Sequence, residues 1–324
     1  MATPVAQLAD AVGARGGDEK AQAGKKWRAG GQPRAPSPTD KENEKRNVMG
    51  RMAYKDNNRI FDLITQLVGA QSDQDNVEYA GCVAKNASAA AVVLAGGSGE
   101  RFGESGGKQL IDIAGKPLLT WSIETLDAVA DIGLIVVVCP KARRDEYAQT
   151  AIEPFDFVTP IVLADAGDSR QESAFSGLEC VPDTFEFTVI HDGARPLITP
   201  RLVTHALNTI KGSLDADGVI VATPAIDTLK MVENGVIVGT PDRSAFWNAQ
   251  TPQIFRTGMY RRAHASALYD GFSGTDDSSL IERLGGRVMV VEGKRDNIKL
   301  TVPEDYLLLA AAIAALRNED GKED

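Results

Sequence analysis

Six short apolar runs limit the fold of this chain more than any other feature: AAAVVLA (89–95), LIVVVC (134–139), TPIVLA (159–164), FTVIHD (187–192), GVIVAT (218–223) and RVMVVE (287–292). Most are rich in Val and Ile, and turn residues bound them. A strand that is apolar along its whole length has to be covered on both faces, which is the situation of a parallel sheet between layers of helices. Helical patterns fill the intervals. Pro117 opens one, followed by Leu118, Leu119, Trp121, Ile123 and Leu126. Thr199-Pro200 reads as an N-cap with proline at the first helical position, and Leu202, Val203, Ala206, Leu207 and Ile210 follow at helical spacing. Pro303 opens a last helix running to Leu316. This alternation predicts a single doubly wound, Rossmann-like α/β domain over residues 88–318, with a mainly parallel sheet. Asn234-Gly235, between LKMV and VIVG, is a hairpin signal and predicts a β-arm leaving the sheet at about 226–243.

The remainder of the chain differs in kind. Residues 1–86 hold 13 Lys and Arg against 11 Asp and Glu, a net of +2, whereas residues 87–324 carry −12 of the total of −10. Residues 1–50 have almost no large apolar side chains and cannot offset the entropy of ordering, so a mostly disordered extension over 1–87 is expected. It lacks the apolar core of a signal peptide and is too acidic for a transit peptide. Ile60, Leu63, Ile64 and Leu67 could share one face of a short helix at 59–69. Residues 319–324 form a charged tail, and no second catalytic domain is expected after it. The acidic balance argues against a protein that holds nucleic acid through its phosphates. No run of eighteen apolar residues is present, which argues against a membrane-spanning helix. Three unpaired cysteines and three histidines leave no disulfide scaffold and little room for a histidine-rich metal site, and they suit a cytoplasmic protein.

Chemistry concentrates after the first strand, in AGGSGERFGESGGKQ (95–109). Ligands of open α/β sheets sit beyond the carboxyl ends of the strands, and glycines there let backbone N–H groups reach phosphate oxygens. The segment lacks the GK[ST] of a Walker A loop. It is not a persuasive dinucleotide fingerprint either, because hydride transfer has no use for the pair Arg101 and Lys108. A triphosphate does: arginine forks onto phosphate oxygens, and lysine supplies a mobile point charge.

LAGGSGERFG…GKQLIDIAGKPLLTWSIETL resembles the nucleotidyltransferases broadly. Later motifs narrow the resemblance: GDSRQESAFSGL (167–178), HDGARPLIT (191–199), AIDTLK (225–230), DRSAFWNAQTPQIF (242–255), GTDDSSLIERLG (274–285) and VVEGKRDNIKLTVPED (290–305). In this order they are similar to the 2-C-methyl-D-erythritol 4-phosphate cytidylyltransferases over nearly all of 88–316. The resemblance implies transfer of a cytidylyl group from CTP to a polyol phosphate, with Mg²⁺ as cofactor, in non-mevalonate isoprenoid precursor synthesis. The acceptor is already an anion, so no general base is needed. Ala95, Gly96, Gly97 and Gly99 match the loop that cradles the triphosphate. Arg101, Lys108 and Lys299 match the cations around the α-phosphate and the leaving pyrophosphate, each expected to lower the barrier by about 2.7–4 kcal/mol.

Gly167, Asp168, Arg170 and Ser173 match the segment that recognises cytosine and ribose. Asp192 and Arg195 stand at the end of a strand, with Asp192 the candidate for a Mg²⁺ or ribose contact. Thr228 and Arg243 match residues of the arm that bind the acceptor phosphate. In the family that arm is exchanged in a homodimer, so the two would act in trans. Thr251 and Asp276 lie near the acceptor end of the pattern, with turn and cap chemistry as their alternative reading. His191 is read as structural. Gly107 stands where the family commonly has proline, which frees φ at that point. LAGG also occurs in related ribitol 5-phosphate cytidylyltransferases, so CDP-ribitol formation stays open as the alternative. Activation of a hexose phosphate with UTP or another nucleotide is a further rival of the same broad fold, separated by nucleotide preference; a non-catalytic nucleotide sensor and nicotinamide chemistry are weaker readings, because neither has a use for this set of cations.

Overall fold

Strand β1 (Ala89–Leu94) lies between two parallel neighbours, β4 (Ile132–Cys139) and β6 (Phe187–Asp192), and is buried along its length. The structure is a computed structural model that describes residues 87–97 and 107–320, with side chains through residue 315. The extension at 1–86, the helix expected at 59–69, loop residues 98–106 and residues 321–324 lie outside the described residues.

Around β1 a seven-stranded sheet runs in the order β11-β7-β10-β6-β1-β4-β5. Its other members are β5 (Ile161–Asp165), β7 (Gly218–Pro224), β10 (Trp247–Arg256) and β11 (Val288–Glu292). All six expected strands are present, and their pairings are parallel wherever two of them meet. The sequence pattern did not reveal β10, which runs antiparallel between β6 and β7. Its sequence, WNAQTPQIFR, is polar in its first half and contains Pro252. The ladder to β7 breaks register between Ala249 and Gln253, and proline is admitted to a central strand inside such a break. Gln250, Thr251 and Gln253 are nonetheless buried.

Successive side chains of β1 point to opposite faces and found two cores. Ala89, Ala91 and Val93 pack with Leu119, Ile123 and Leu126 of α1 (Leu118–Asp127) and with Val203, Leu207 and Ile210 of α4 (Pro200–Lys211). Ala90, Val92 and Leu94 meet α3 (Arg170–Glu179), α5 (Thr257–Asp270) and α6 (Ser278–Arg283) through Leu178, Tyr260, Ala263 and Leu280. Burying each large aliphatic side chain contributes roughly 1.5–3 kcal/mol. A short helix α2 (Arg144–Tyr147) follows β4, and a two-residue hairpin, β2 (Asp112–Ile113) with β3 (Lys116–Pro117), precedes α1. A third cluster ties Ile113 and Leu118 to Leu300 and to Leu309 and Ile313 of α7 (Glu304–Asp320).

The helix starts follow the sequence. Thr199 Oγ1 accepts from the Leu202 N–H at 3.3 Å, with Pro200 next. Pro117 and Pro303 each stand one residue before their helices instead of inside them. α3 opens with a capping box between Ser169 and Glu172, as the spacing S-x-x-E allows. The arm is present as well. Strands β8 (Met231–Glu233) and β9 (Val236–Gly239) pair antiparallel, joined by Asn234 and Gly235 at φ 50° and 80°, the conformation of a type I′ turn.

Candidate active site

Parallel strands bring their carboxyl ends to one edge of the sheet. Ala95–Gly97 leave β1 there, Gly167–Ser169 follow β5, Asp192 ends β6 with Gly193–Arg195 after it, and residues 293–299 follow β11. Gly96 is the close-approach point: a Cβ there would lie 2.3 Å from Ala166 Cβ, so the loop after β1 passes the loop after β5 without room for a side chain. The Tyr147 hydroxyl donates to the Ala95 carbonyl at 3.1 Å, with Gln109 Oε1 3.4 Å away. That contact fixes the exit from β1. Gly107 has φ 146°, which proline cannot adopt, so the glycine here changes the local backbone. Lys108 Nζ donates to the Leu300 carbonyl at 2.8 Å. Leu300 N–H in turn bonds the Ala194 carbonyl at 2.8 Å. The expected cations Lys108 and Lys299 are therefore brought to one place from opposite ends of the domain.

Asp192 is the centre of charge. Lys299 Nζ donates to its Oδ2 at 2.8 Å, Arg170 Nε lies 3.5 Å from Oδ1, and Arg195 Nε lies 3.7 Å from Oδ2. Burial opposes ionisation of this carboxyl, but Lys299 and Arg170 outweigh it and hold the group well below the usual carboxylate range. Burial likewise works against the charge on Arg170, and Asp277 and Asp192 more than offset it. Arg195 pairs less favourably, since burial lowers its proton affinity despite Asp192. Its Nη1 donates to the Asn297 carbonyl at 2.6 Å.

A neutral relay supports the carboxylate from behind. The Asp192 N–H donates to Thr251 Oγ1 at 3.0 Å, and Thr251 Oγ1 lies 3.0 Å from His191 Nδ1, which accepts its proton in a neutral ring whose hydrogen is on Nε2. The Arg195 carbonyl, which can only accept, places that hydrogen on His191 Nε2 at 3.2 Å. Burial pushes the His191 imidazole down to about 4, consistent with this neutral tautomer and with its structural reading. At the turn after β5, Ser173 Oγ accepts from the Gly167 N–H at 3.1 Å. Glu172 Oε2 accepts from the Asp168 and Ser169 N–H groups at 2.8 and 3.2 Å. The Asp168 side chain is left at the exposed turn.

Of the expected site residues, the structure brings Ala95, Gly96, Gly97, Lys108, Gly167, Asp168, Arg170, Ser173, Asp192, Arg195 and Lys299 to this edge. Gly99 and Arg101 lie outside the described residues. Thr228 and Arg243 stand on the exposed arm, where the Arg243 guanidinium bonds the Ile226 carbonyl, and the contacts just described involve neither. Asp276 accepts from the Ser279 N–H at 3.1 Å, the helix-start chemistry of its alternative reading. Sequence reasoning missed Asn297, whose Nδ2 donates to Gln250 Oε1 and the Thr251 carbonyl at 3.1 and 3.0 Å. It also missed Tyr260 and Asp277. A buried Asn between charged neighbours in RDNIK was the available signal for the first; a tyrosine inside a helix offers none.

Known proteins of one family are similar to this chain in sequence and in fold. A profile of the 2-C-methyl-D-erythritol 4-phosphate cytidylyltransferases matches residues 89–316. The enzyme of that name from Syntrophotalea carbinolica is 42% identical over 221 residues, 68% of this chain and 94% of its own length. Its counterpart from Caldanaerobacter subterraneus is 39% identical over 219 residues, covering 67% of this chain and 95% of its own. Among solved structures, the 4-diphosphocytidyl-2C-methyl-D-erythritol synthase from Anaerococcus prevotii superposes with a TM-score of 0.62 at 28% identity, over 72% of this chain and 98% of its own. The Thermus thermophilus cytidylyltransferase gives 0.57 at 28%, over 70% and 98%. This chain belongs to the 2-C-methyl-D-erythritol 4-phosphate cytidylyltransferase family.

Proposed function

We infer that the protein transfers the cytidylyl group of CTP to 2-C-methyl-D-erythritol 4-phosphate, forming 4-diphosphocytidyl-2-C-methyl-D-erythritol and pyrophosphate. The observation that carries this reading is the convergence of Arg170, Arg195 and Lys299 on one buried carboxylate, Asp192, at the strand ends, with Lys108 bonded to the backbone of Leu300 beside Lys299. An acceptor phosphate oxygen attacks the α-phosphorus in line. A new P–O bond forms as the bond to the β-phosphate bridge breaks, and pyrophosphate leaves with the electron pair. The chain supplies position and positive charge for this exchange and no base.

Lys299 and Lys108 suit the charge that grows at the α-phosphoryl group and the leaving oxygens, with Arg101 as the third cation from the loop. Ala95, Gly96, Gly97 and Gly99 suit the triphosphate, and Gly167, Asp168, Arg170 and Ser173 the nucleoside. Asp192 is the carboxylate that would hold Mg²⁺, and because Lys299, Arg170 and Arg195 already face its oxygens, the ion would have to share or displace those contacts. Among the described residues no group of three or more His, Cys, Asp or Glu could hold a metal. The ion would supply neutralisation of triphosphate charge. Among the described residues no helix is long and apolar enough to cross a membrane.

We also propose a homodimer built on the arm, with Thr228 and Arg243 of each copy serving the acceptor phosphate of the other. An isolated hairpin is marginal in water, yet Val236 is 65% and Ile237 58% exposed, an apolar surface suited to a second copy of this chain. The test of substrate is steady-state pyrophosphate release with CTP or UTP, and with methylerythritol 4-phosphate or ribitol 5-phosphate. A preference for CTP with methylerythritol phosphate of at least about a hundredfold in kcat/KM, roughly 2.7 kcal/mol, is expected. Preference for ribitol phosphate would overturn the acceptor assignment, and preference for UTP the nucleotide assignment.

A further inference from the structure

Tyr260 and Asp277 lie behind the nucleotide turn, outside every motif role assigned above. Arg170, the first residue of α3, gives its Nη1 to Asp277 Oδ2 at 2.6 Å while its Nε faces Asp192 at 3.5 Å. The buried Tyr260 hydroxyl donates to the other oxygen, Asp277 Oδ1, at 2.5 Å. Tyr260 is itself held by Phe255 and His264, with ring centroids at 4.8 and 4.6 Å. The neighbouring Gln171 ties the segment between α5 and α6 to α3: its Nε2 donates to the Phe272 carbonyl at 3.1 Å, and its Oε1 accepts from the Gly274 N–H at 2.9 Å. The first turn of α3, which follows the Gly167–Ser169 turn and begins at Arg170, is thus fastened to residues 272–277 by two adjacent side chains.

The charge arithmetic gives this fastening a consequence. Asp192 faces three cations, and Lys299 holds the shortest of those contacts. A guanidinium at Arg170 without a second carboxylate would close on Asp192 and draw it from Lys299. Asp277 takes half of the Arg170 fork, and Tyr260 fixes the rotamer of Asp277 by occupying its second oxygen.

We propose that Tyr260 and Asp277 are positioning residues that set the place of Arg170, and through it the affinity of the nucleotide turn for CTP. The proposal rests on the assignment of Arg170 to the nucleotide. A residue of a purely structural kind would alter melting alone.

The experiment compares Tyr260→Phe, Asp277→Asn and Arg170→Gln, titrating CTP at saturating acceptor and the acceptor at saturating CTP, with a thermal melt of each. Tyr260→Phe keeps the ring and removes the hydroxyl. It is expected to raise KM for CTP about fivefold, and Asp277→Asn about twentyfold, in line with the loss of hydrogen bonds to charged groups. KM for the acceptor stays within about twofold, and Tyr260→Phe added to Arg170→Gln has little further effect, as coupling through one residue requires. If Arg170→Gln raises KM for CTP while Tyr260→Phe leaves it unchanged, the positioning role is wrong and the Arg170 assignment stands. If Arg170→Gln leaves KM for CTP unchanged, the assignment itself fails. A lowered melting temperature in Tyr260→Phe with unchanged KM also overturns the proposal. Should Asp277→Asn not fold, Tyr260→Phe decides alone.

Discussion

Replacing Asp192 by Asn removes one negative charge from among three cations and leaves the backbone bond to Thr251 Oγ1 in place. Removing one member of a fully buried ion pair costs about 3–5 kcal/mol. Two of the partners here keep contact with water, since the Lys299 side chain is 35% and Arg170 33% exposed, while Arg195 is 13%. Partial solvation reduces the loss, and about 2–3 kcal/mol is expected at pH 7. For a domain of this size that is a melting shift of about 4–12 °C.

The pH dependence has a definite sign. A carboxyl held below its unfolded value contributes in full above that value, about 3.9, and loses its contribution as pH falls through the lower folded one. Urea unfolding of the ligand-free protein from pH 8 to pH 3 measures both. The difference between wild type and Asp192→Asn is predicted to be constant above about pH 5 and to shrink below about pH 4. A difference below about 0.5 kcal/mol at pH 7, or one that persists unchanged to pH 3, would refute the reasoning that Asp192 is ionised and compensated by its three neighbours.

Lys299→Met and Lys108→Met are each predicted to lower kcat by about 10²–10³ with a much smaller change in KM, measured by pyrophosphate release. Gly96→Val places atoms against Ala166 and is predicted to destabilise the domain by about 1–3 kcal/mol and to weaken CTP binding, read from urea unfolding and from nucleotide titration. His191 and His264 are both pushed down to about 4 by burial, so their contribution is present above about pH 6.5 and is lost towards pH 4. His191→Gln is predicted to flatten part of that slope in unfolding curves. Mixing Arg243→Ala with Lys299→Met protein, each nearly inactive alone, is predicted to restore about a quarter of wild-type activity if sites in a twofold dimer draw on both copies. No recovery after subunit exchange would argue that each copy is self-sufficient.

β1, β4, β6 and β7 were legible because burial on both faces leaves an unbroken apolar run, whereas β5 and β11, partly exposed at the two sheet edges, were legible from their Val and Ile content and bounding turns. The N-cap at Thr199 and the turn at Asn234-Gly235 were legible because each is local chemistry. β10 was not, since its first half spends polar residues on the site: Gln250 and Thr251 face Asn297 and His191, so the periodicity of a strand is absent where the strand does its work. The cations of the site were visible in order along the chain, but the meeting of Arg170, Arg195 and Lys299 at Asp192, and the tie of Lys108 to Leu300 beside them, depend on crossovers that the local sequence does not show. Tyr260 and Asp277 were invisible for the same reason, since nothing local in α5 marks a tyrosine whose partner is 17 residues away.

The central claim is transfer of a cytidylyl group between CTP and methylerythritol phosphate at this cation cluster. The most direct measurement follows the phosphorus resonances of wild-type protein incubated with CTP, Mg²⁺ and 2-C-methyl-D-erythritol 4-phosphate. The predicted result is loss of the triphosphate and acceptor signals with equal gains of pyrophosphate and a cytidine diphosphate ester, and no turnover when the acceptor is left out. Cytidine monophosphate formed without acceptor, or CTP left intact in the complete mixture, would contradict the account.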